Sequence, residues 1–203
     1  MINKNVFLTM LYICIVCFLS IQSHAETLDT LLKNTHSMQA KFVEKVITNQ
    51  QVKRVIKGKV WLEVPNKFRW EVISPNKELF ISDGKKLLHY TPELQQATLR
   101  HLSEKTSNTV FLVVLSQPKL LHKMFKVTTI SKQEFKLLSK HPDSLLQDIY
   151  LKFKHDVLYE ISFMNSAGQR TVIRLYNCVI NQKISQAMFK FVLPKNVDIY
   201  QMS

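Results

Sequence analysis

The sequence predicts one mainly β domain, a strongly curved and mostly antiparallel sheet with short helices covering it. Three observations lead to this class. Apolar and polar residues alternate with a period of two over most of the chain. All six prolines fall at boundaries between strand or helix candidates, where turns are expected. One stretch, 103–125, changes to helical spacing instead.

The first 25 residues have the pattern of a secretory signal peptide. Lys4 provides a positive start, an apolar run follows, and Ala25 provides a small residue at the expected cleavage point. The apolar run has about 14 residues, fewer than the roughly 20 that span a bilayer. We therefore expect cleavage after Ala25 and a mature chain, 26–203, that forms a single domain.

Cysteine usage limits how the mature chain is stabilised and attached. Cys14 and Cys17 lie in the signal segment, and Val16 precedes Cys17 where a lipid-modified cysteine would need a small residue. Cys178 is then alone, so no intramolecular disulfide is expected. No cysteine pair or His-x3-His spacing predicts a metal site. Stability must therefore come from the apolar core.

The first half of the mature chain is expected to be a meander of strands. It begins with a short amphipathic helix in which Leu28, Leu31 and Leu32 share a face. The Asp83-Gly84 pair between two alternating runs predicts a tight hairpin. The strands are expected, in chain order, at 38–46, 55–64, 67–73, 79–82, 86–90 and 95–102.

The second half is expected to hold two short helices and then further strands. The helical stretch 103–125 is divided by Pro118, and both parts are apolar on more than one side. This favours a position between the sheet and another layer rather than on a solvated surface. The later strands are expected at 126–130, 135–138, 149–154, 158–164, 169–180 and 188–192.

Composition excludes several classes of protein. Only three glycines occur, so a glycine-rich nucleotide-binding loop is not expected. No Gly-x-Ser-x-Gly or His-Glu-x-x-His motif is present, and His89 and His101 have no nucleophile motif beside them. We therefore expect the chain not to be an enzyme.

The formal net charge of +13 raises the question of nucleic acid. The densest basic cluster contains Lys53, Arg54, Lys57 and Lys59, but no aromatic residues alternate with it to stack bases. The signal segment also directs the chain away from nucleic acid. We interpret the cluster as a solvated strand edge and expect no nucleic-acid partner.

The order of several short motifs resembles the LolA family of periplasmic outer-membrane lipoprotein carriers. The motifs are Gly58, Trp61, Pro65-Asn66-Lys67-Phe68-Arg69-Trp70-Glu71, Pro75, Ile81-Ser82-Asp83-Gly84-Lys85, Tyr90-Thr91-Pro92, Gln95-Gln96-Ala97, Asn108-Thr109-Val110-Phe111, Gln169-Arg170 and Phe189-Lys190-Phe191 before Pro194. No single motif is very specific, but their order and spacing together are. The resemblance covers nearly all of the mature chain.

The resemblance implies a fold and a function. The fold is a single half-open antiparallel β-barrel whose concave apolar face is covered by a short-helix lid. Such carriers receive acylated lipoproteins from an inner-membrane ABC-type release complex, shield the acyl chains across the periplasm and deliver them to an outer-membrane receptor. No cofactor is implied, and we expect a monomer. The alternative is a lipid-sensing, lipoprotein-sensing or receptor domain on the same half-barrel.

The resemblance, together with the strand and helix pattern, predicts which residues could form the acyl-chain cavity and its lid. Each methylene exposed to water costs about 0.8 kcal/mol, so a carrier needs a large apolar surface that is covered when empty. The cavity candidates are Phe68, Trp70, Val72, Phe80, Tyr159, Ile161 and Phe163. The lid candidates are Val110, Phe111, Val114, Leu121 and Met124.

One position departs from the family pattern. Many carriers have arginine just before the proline of the Pro-Asn-Lys-Phe turn, where it holds the lid closed, and here that residue is Val64. Arg69 is expected on the polar face of its strand and is not assigned the role. Apolar contacts of Val64 with Phe111 and Val114 are the expected substitute.

Overall fold

The computed structural model describes residues 27–101, 118–141, 146–165 and 167–202. These residues form two short α-helices and one sheet of twelve strands. The helices are α1 (Leu28–Lys33) and α2 (Pro118–Met124). The strands are β1 (Ser37–Thr48), β2 (Gln51–Glu63), β3 (Lys67–Ser74), β4 (Glu78–Asp83), β5 (Lys86–Thr91), β6 (Gln96–His101), β7 (Phe125–Ser131), β8 (Glu134–Ser139), β9 (Leu146–Lys154), β10 (Val157–Asn165), β11 (Arg170–Ile180) and β12 (Asp198–Met202).

The strands follow one another across the sheet in the order β12-β6-β5-β4-β3-β2-β1-β11-β10-β9-β8-β7. β12 and β7 are its two edges, so the sheet is open and does not close into a barrel. The pairing of β12 with β6 is parallel, whereas the hairpin-connected pairs are antiparallel. The expectation of a mainly β, half-open antiparallel sheet with short helices is therefore confirmed.

Local sequence explains where α1 starts and which face it buries. Thr27 is the N-cap, and its Oγ1 accepts a hydrogen bond from the Thr30 N–H at 3.3 Å. Asp29 stands in the first turn and Lys33 in the last, which suits the helix dipole. Leucines 28, 31 and 32 are buried, as their helical spacing predicts.

The predicted hairpin between β4 and β5 forms as expected. Gly84 has φ 100°, a backbone conformation that strains residues with a Cβ atom. The Asp83 carboxylate accepts hydrogen bonds from the backbone N–H groups of Lys85 and Lys86, at 2.8 and 2.9 Å. The Asp83 side chain thereby accepts from two backbone donors at the start of β5.

Irregular pairing bends the long central strands. The register shifts between Gln39 and Lys41 on β1 against β11, and between Lys57 and Gly58 on β2 against β3. Extra residues of this kind increase local twist and bend a strand. Gly58 also permits close packing, because a Cβ atom there would collide with the Glu71 carbonyl oxygen and come within 2.5 Å of the Phe42 ring. The curvature of the sheet thus depends on particular positions.

Two apolar cores lie on opposite faces of the sheet. The larger one lies on the face that α1 and α2 cover, called here the concave face and its opposite the convex face, where β1, β2, β3 and β8 to β11 pack with the two helices. The smaller one occupies the convex face of β4 to β6 and is covered by Phe191, Leu193 and Val197 of the C-terminal segment. Among the described residues, no helix is long and apolar enough to cross a bilayer.

One predicted strand needs correction, and one predicted helix falls outside the described residues. The predicted strand at 188–192 is absent, because Gln186–Phe189 form a 3-10 turn and the chain then lies irregularly over the second core. The last strand is instead β12, beyond Pro194. Of the two helices predicted between 103 and 125, the second is α2, and the first falls outside the described residues.

Candidate functional site

A row of aromatic side chains crosses the concave face of β2 to β5. Cross-strand register places Val60 opposite Trp70, Trp70 opposite Phe80, and Phe80 opposite His89. Phe42 of β1 stacks on Trp70 with ring centroids 3.8 Å apart. Phe80 stacks on the His89 ring at 4.0 Å. Aromatic contacts therefore run from strand to strand across this half of the sheet.

A second row on the same face is more deeply buried. Phe68 is 2% exposed and lies opposite Leu62 on one side and Ser82 on the other. The Ser82 hydroxyl donates to the Asn66 carbonyl at 2.7 Å and accepts from the Gly84 N–H at 3.1 Å, so this buried polar group is satisfied. Phe68 therefore serves as core at the floor of the concave face.

The other half of the concave face is aliphatic. Ile161 on β10 is fully buried and lies opposite Ile173 on β11 and Leu151 on β9. Phe163 is half-buried and packs against the same core. These two predicted cavity residues therefore join Phe68, Trp70, Val72 and Phe80 in one cluster.

Tyr159 is the predicted cavity residue that the structure does not bring to this cluster. The register of β10 against β9 shifts between Leu158 and Glu160, so Tyr159 has no partner in the ladder. Leu158 pairs with Phe153 and fills the inward position instead. A strict two-residue alternation along β10 predicts that the Tyr159 side chain faces inward. The extra residue at the register shift interrupts this alternation.

The helices cover the concave face from above. Leu121 of α2 is fully buried, and Met124 packs against the same core. His122 Nε2 of α2 lies 2.7 Å from the Asp29 carboxylate of α1, which ties the two helices together. The other predicted lid residues, Val110, Phe111 and Val114, lie outside the described residues.

A cavity of about 210 Å³ opens at one side of the aromatic row. Trp70, Val72 and Phe80, all predicted from the sequence, line its apolar wall together with Ile56. Three charged residues that were not predicted from the sequence also line it, namely Glu44, Arg54 and Glu78, together with Pro75 and Asn76. The signal for Glu44 was available, because it has the same parity on β1 as the inward-facing Phe42 and Val46.

The electrostatics of this cavity reflect its apolar surroundings. Burial raises the pKa of Glu44 above its ordinary value, Arg54 opposes that rise, and Glu78 adds to it. Glu78 Oε2 lies 3.1 Å from His89 Nε2. The cavity thus combines apolar and charged side chains in comparable shares.

The described residues offer little for catalysis or metal binding. Among them, no group of three or more His, Cys, Asp or Glu side chains is arranged to hold a metal ion. Cys178 is half-buried, and burial raises the pKa of its thiol, which disfavours the reactive thiolate. Arg69 lies on the convex face as expected, where its Nε donates to the Glu71 carboxylate at 3.1 Å.

Comparison with known proteins identifies the family. The family model described as "Outer membrane lipoprotein carrier protein LolA" matches residues 33–192. The chain belongs to the LolA family. Proteins named outer-membrane lipoprotein carrier protein from Coxiella burnetii and Chromohalobacter salexigens are 32% and 30% identical to it. These alignments cover 89% and 86% of this chain, and 88% and 85% of the relatives.

Solved structures bear on the fold of this LolA family member. An uncharacterized conserved protein from Thermus thermophilus matches with a TM-score of 0.55 and 13% identity, over 86% of this chain and 96% of the other. That likeness concerns the fold alone. Membership of the LolA family confirms the resemblance drawn from the motifs and agrees with the expectation that the chain is not an enzyme.

Proposed function

We propose that this LolA family member is a periplasmic chaperone for acylated lipoproteins. It would receive them from an inner-membrane ABC-type release complex, hold their acyl chains against the concave face and deliver them to an outer-membrane receptor. The supporting observation is the apolar concave face itself, which carries a continuous aromatic row and is covered by short helices rather than by a second sheet. Family membership supports the same cargo.

The packing of the helices suits a cover that moves. Short helices hold few residues against the sheet, so displacing them exposes less backbone than displacing a strand would. Between α1 and α2, the contact of His122 with Asp29 is solvent-exposed, and even a charged pair at such a site contributes only about 0–1 kcal/mol. Met124, with its flexible side chain, can repack around chains of different shape.

The charged rim of the cavity suits the part of a cargo that is not an acyl chain. The aromatic and aliphatic residues of the cavity offer apolar contact. The charged residues Glu44, Arg54 and Glu78 line the same cavity and offer polar contact. The junction between acyl chains and peptide carries amides and esters, which need hydrogen-bonding groups once water is displaced. The rim would meet that junction while the aromatic row meets the chains.

Phe80→Asn tests the cavity directly. The phenyl ring is half-buried and lines the cavity, so its loss removes apolar contact worth about 1.5 kcal/mol to an acyl chain, or about ten-fold in retention. The matched control is Ile73→Asn, since Ile73 is an exposed apolar residue on the convex face of the neighbouring strand. Cargo is measured as triacylated lipoprotein that co-purifies with each variant.

The cellular experiment is depletion of the protein followed by envelope fractionation. Outer-membrane lipoproteins should accumulate at the inner membrane. Normal localisation of these lipoproteins after depletion would contradict the proposal, as would equal co-purification of cargo with the Phe80 and Ile73 variants.

A further inference from the structure

The convex face of the two longest strands carries four lysines in one group. Lys41 and Lys45 lie on β1, and Lys57 and Lys59 lie on β2. All four are exposed. Each is an odd number of residues away from the inward-facing Phe42 or Val60 of its strand, so its side chain lies on the opposite face. We call these four residues the lysine patch.

Cross-strand register concentrates the charge of the lysine patch. Lys41 and Lys59 are direct partners, and Lys57 is the partner of Val43, midway between Lys41 and Lys45. Directly opposite side chains have Cβ atoms about 5 Å apart, and diagonal neighbours lie about 7–8 Å apart. Like charges placed directly opposite each other destabilise a sheet. The arrangement therefore has an electrostatic cost within the folded protein.

The neighbouring acidic groups are each bound by an arginine rather than by a patch lysine. Glu71, opposite Lys59 on β3, is bound by Arg69 at 3.1 Å. Glu160 on β10, beyond β11, is bound by Arg174 at 2.7 Å. Among the described residues, no carboxylate lies within ion-pair distance of a patch lysine.

Two lysines elsewhere on the same sheet are paired with carboxylates. Lys136 pairs with Asp148 at 3.3 Å, and Lys152 pairs with Glu134 at 3.4 Å. Lys136 and Lys152 thus have acidic partners, whereas the lysines of the patch have none among the described residues. The excess positive charge of the chain is not spread evenly, and the lysine patch is one place where it remains available to a partner.

We propose that the lysine patch docks the protein on an anionic phospholipid surface. Lysine is a compact point charge on a flexible stem, which suits diffuse attraction to many headgroups, whereas arginine provides the planar fork that matches individual carboxylates. All four members of the patch are lysines. Between and beside them lie Val55 and Tyr176, which are 39% and 46% exposed and can contact the headgroup region.

Docking through the convex face would leave the concave face free. The patch and the aromatic row lie on opposite faces of β2 and its neighbours, so binding a membrane does not cover the cavity. The interaction concerns a surface that the acyl chains would not touch, and it does not depend on what the cavity holds. Attraction of this kind is weakened by salt, which makes it reversible.

The test measures binding of the exported protein, purified from cells that express the full chain, to vesicles. The vesicles contain equal parts of phosphatidylglycerol and phosphatidylcholine, with pure phosphatidylcholine as the neutral surface. Each lysine close to an anionic membrane surface contributes about five-fold to partitioning. Replacing all four patch lysines by glutamine should therefore weaken partitioning onto phosphatidylglycerol vesicles by about 100-fold or more at low salt.

A charge-matched variant separates the lysine patch from net charge. Lys126, Lys132, Lys154 and Lys195 are exposed and lie outside the patch, so their replacement by glutamine removes the same total charge. This control should keep most of the binding. An equal loss in both variants, or no binding of the unmodified protein to phosphatidylglycerol vesicles, overturns the proposal. In the second case an acidic protein surface would be the partner of the patch. Circular dichroism verifies that both variants fold.

Discussion

At the scale of single residues, the concave face combines an apolar lining with half-buried acids, of which Glu44 has a raised pKa. Glu44 stands on the same face of β1 as Phe42, whose ring stacks on Trp70. A carboxyl group in such surroundings keeps its proton more readily than in water. Its position was readable from the alternation of β1, but the extent of its burial depended on Arg54, Trp70 and Glu78, which the sequence does not place beside it.

The raised pKa of Glu44 predicts how this one group changes stability with pH. Because the folded protein holds this proton more tightly than the unfolded chain does, the contribution of Glu44 to the free energy of unfolding should fall as pH rises from about 4.5 through the raised pKa. Glu44→Gln removes that dependence and should be more stable than the parent at neutral pH. Chemical denaturation over a pH series measures both effects.

The control for this experiment is Glu93→Gln, an exposed carboxyl in the 3-10 turn after β5. As a substitution at an exposed position, it should change the free energy of unfolding by less than about 0.5 kcal/mol. A Glu44→Gln variant that is less stable than the parent at neutral pH would show that the interaction with Arg54 outweighs the cost of burial.

At the scale of elements, the C-terminal segment behaves differently from its sequence pattern. The run at 188–192 alternates as a strand would, yet the chain there covers the second core without pairing. Phe189 is 3% exposed, and the Phe191 ring lies 5.5 Å from that of Tyr90. Apolar contact with the convex face of β4 to β6, rather than a backbone ladder, decides the path of this segment.

Phe189→Ala should therefore destabilise the protein by about 3 kcal/mol, since it removes a buried aromatic ring. Val192→Ala is the matched control, because Val192 is 90% exposed and its replacement should change the free energy of unfolding by less than about 0.5 kcal/mol. Urea denaturation measures both. Similar small losses in the two variants would mean that the segment does not stabilise the fold.

Most other elements could be predicted from the chain. The hairpin at Asp83-Gly84 and the amphipathic α1 formed where local chemistry requires them, because turn residues and caps act through neighbours in sequence. The parallel pairing of β12 with β6 could not be predicted in this way. It joins residues about 100 positions apart, and no local pattern specifies which edge a late strand will meet.

At the scale of the whole molecule, the two cores share one sheet and should not unfold separately. Strands β3 and β4 contribute Phe68 and Val72 to the concave core and Leu79 and Ile81 to the convex core. Loss of one core would therefore expose backbone hydrogen bonds that hold the other. We expect the free energy of unfolding to report one cooperative transition.

Two probes can check this expectation. Tryptophan fluorescence follows Trp61 and Trp70, which lie on opposite faces of the sheet, and far-ultraviolet circular dichroism follows the strands. Their denaturation midpoints should coincide. A second transition seen by one probe alone would indicate that the C-terminal segment and its core unfold independently of the concave face.

By itself, the sequence determined the mainly β class, the alternation of most strands, the tight hairpin and membership of a carrier family that its motifs resemble. These depend on period, turn chemistry and motif order, which are properties of neighbouring residues. Only the tertiary structure decided that Tyr159 lies at a register shift of β10 and is not part of the concave core. It also decided that Glu44, Arg54 and Glu78 line one cavity and that four lysines meet on the convex face. Strand register and bulges bring these groups together or apart, and register is set by packing across the whole sheet.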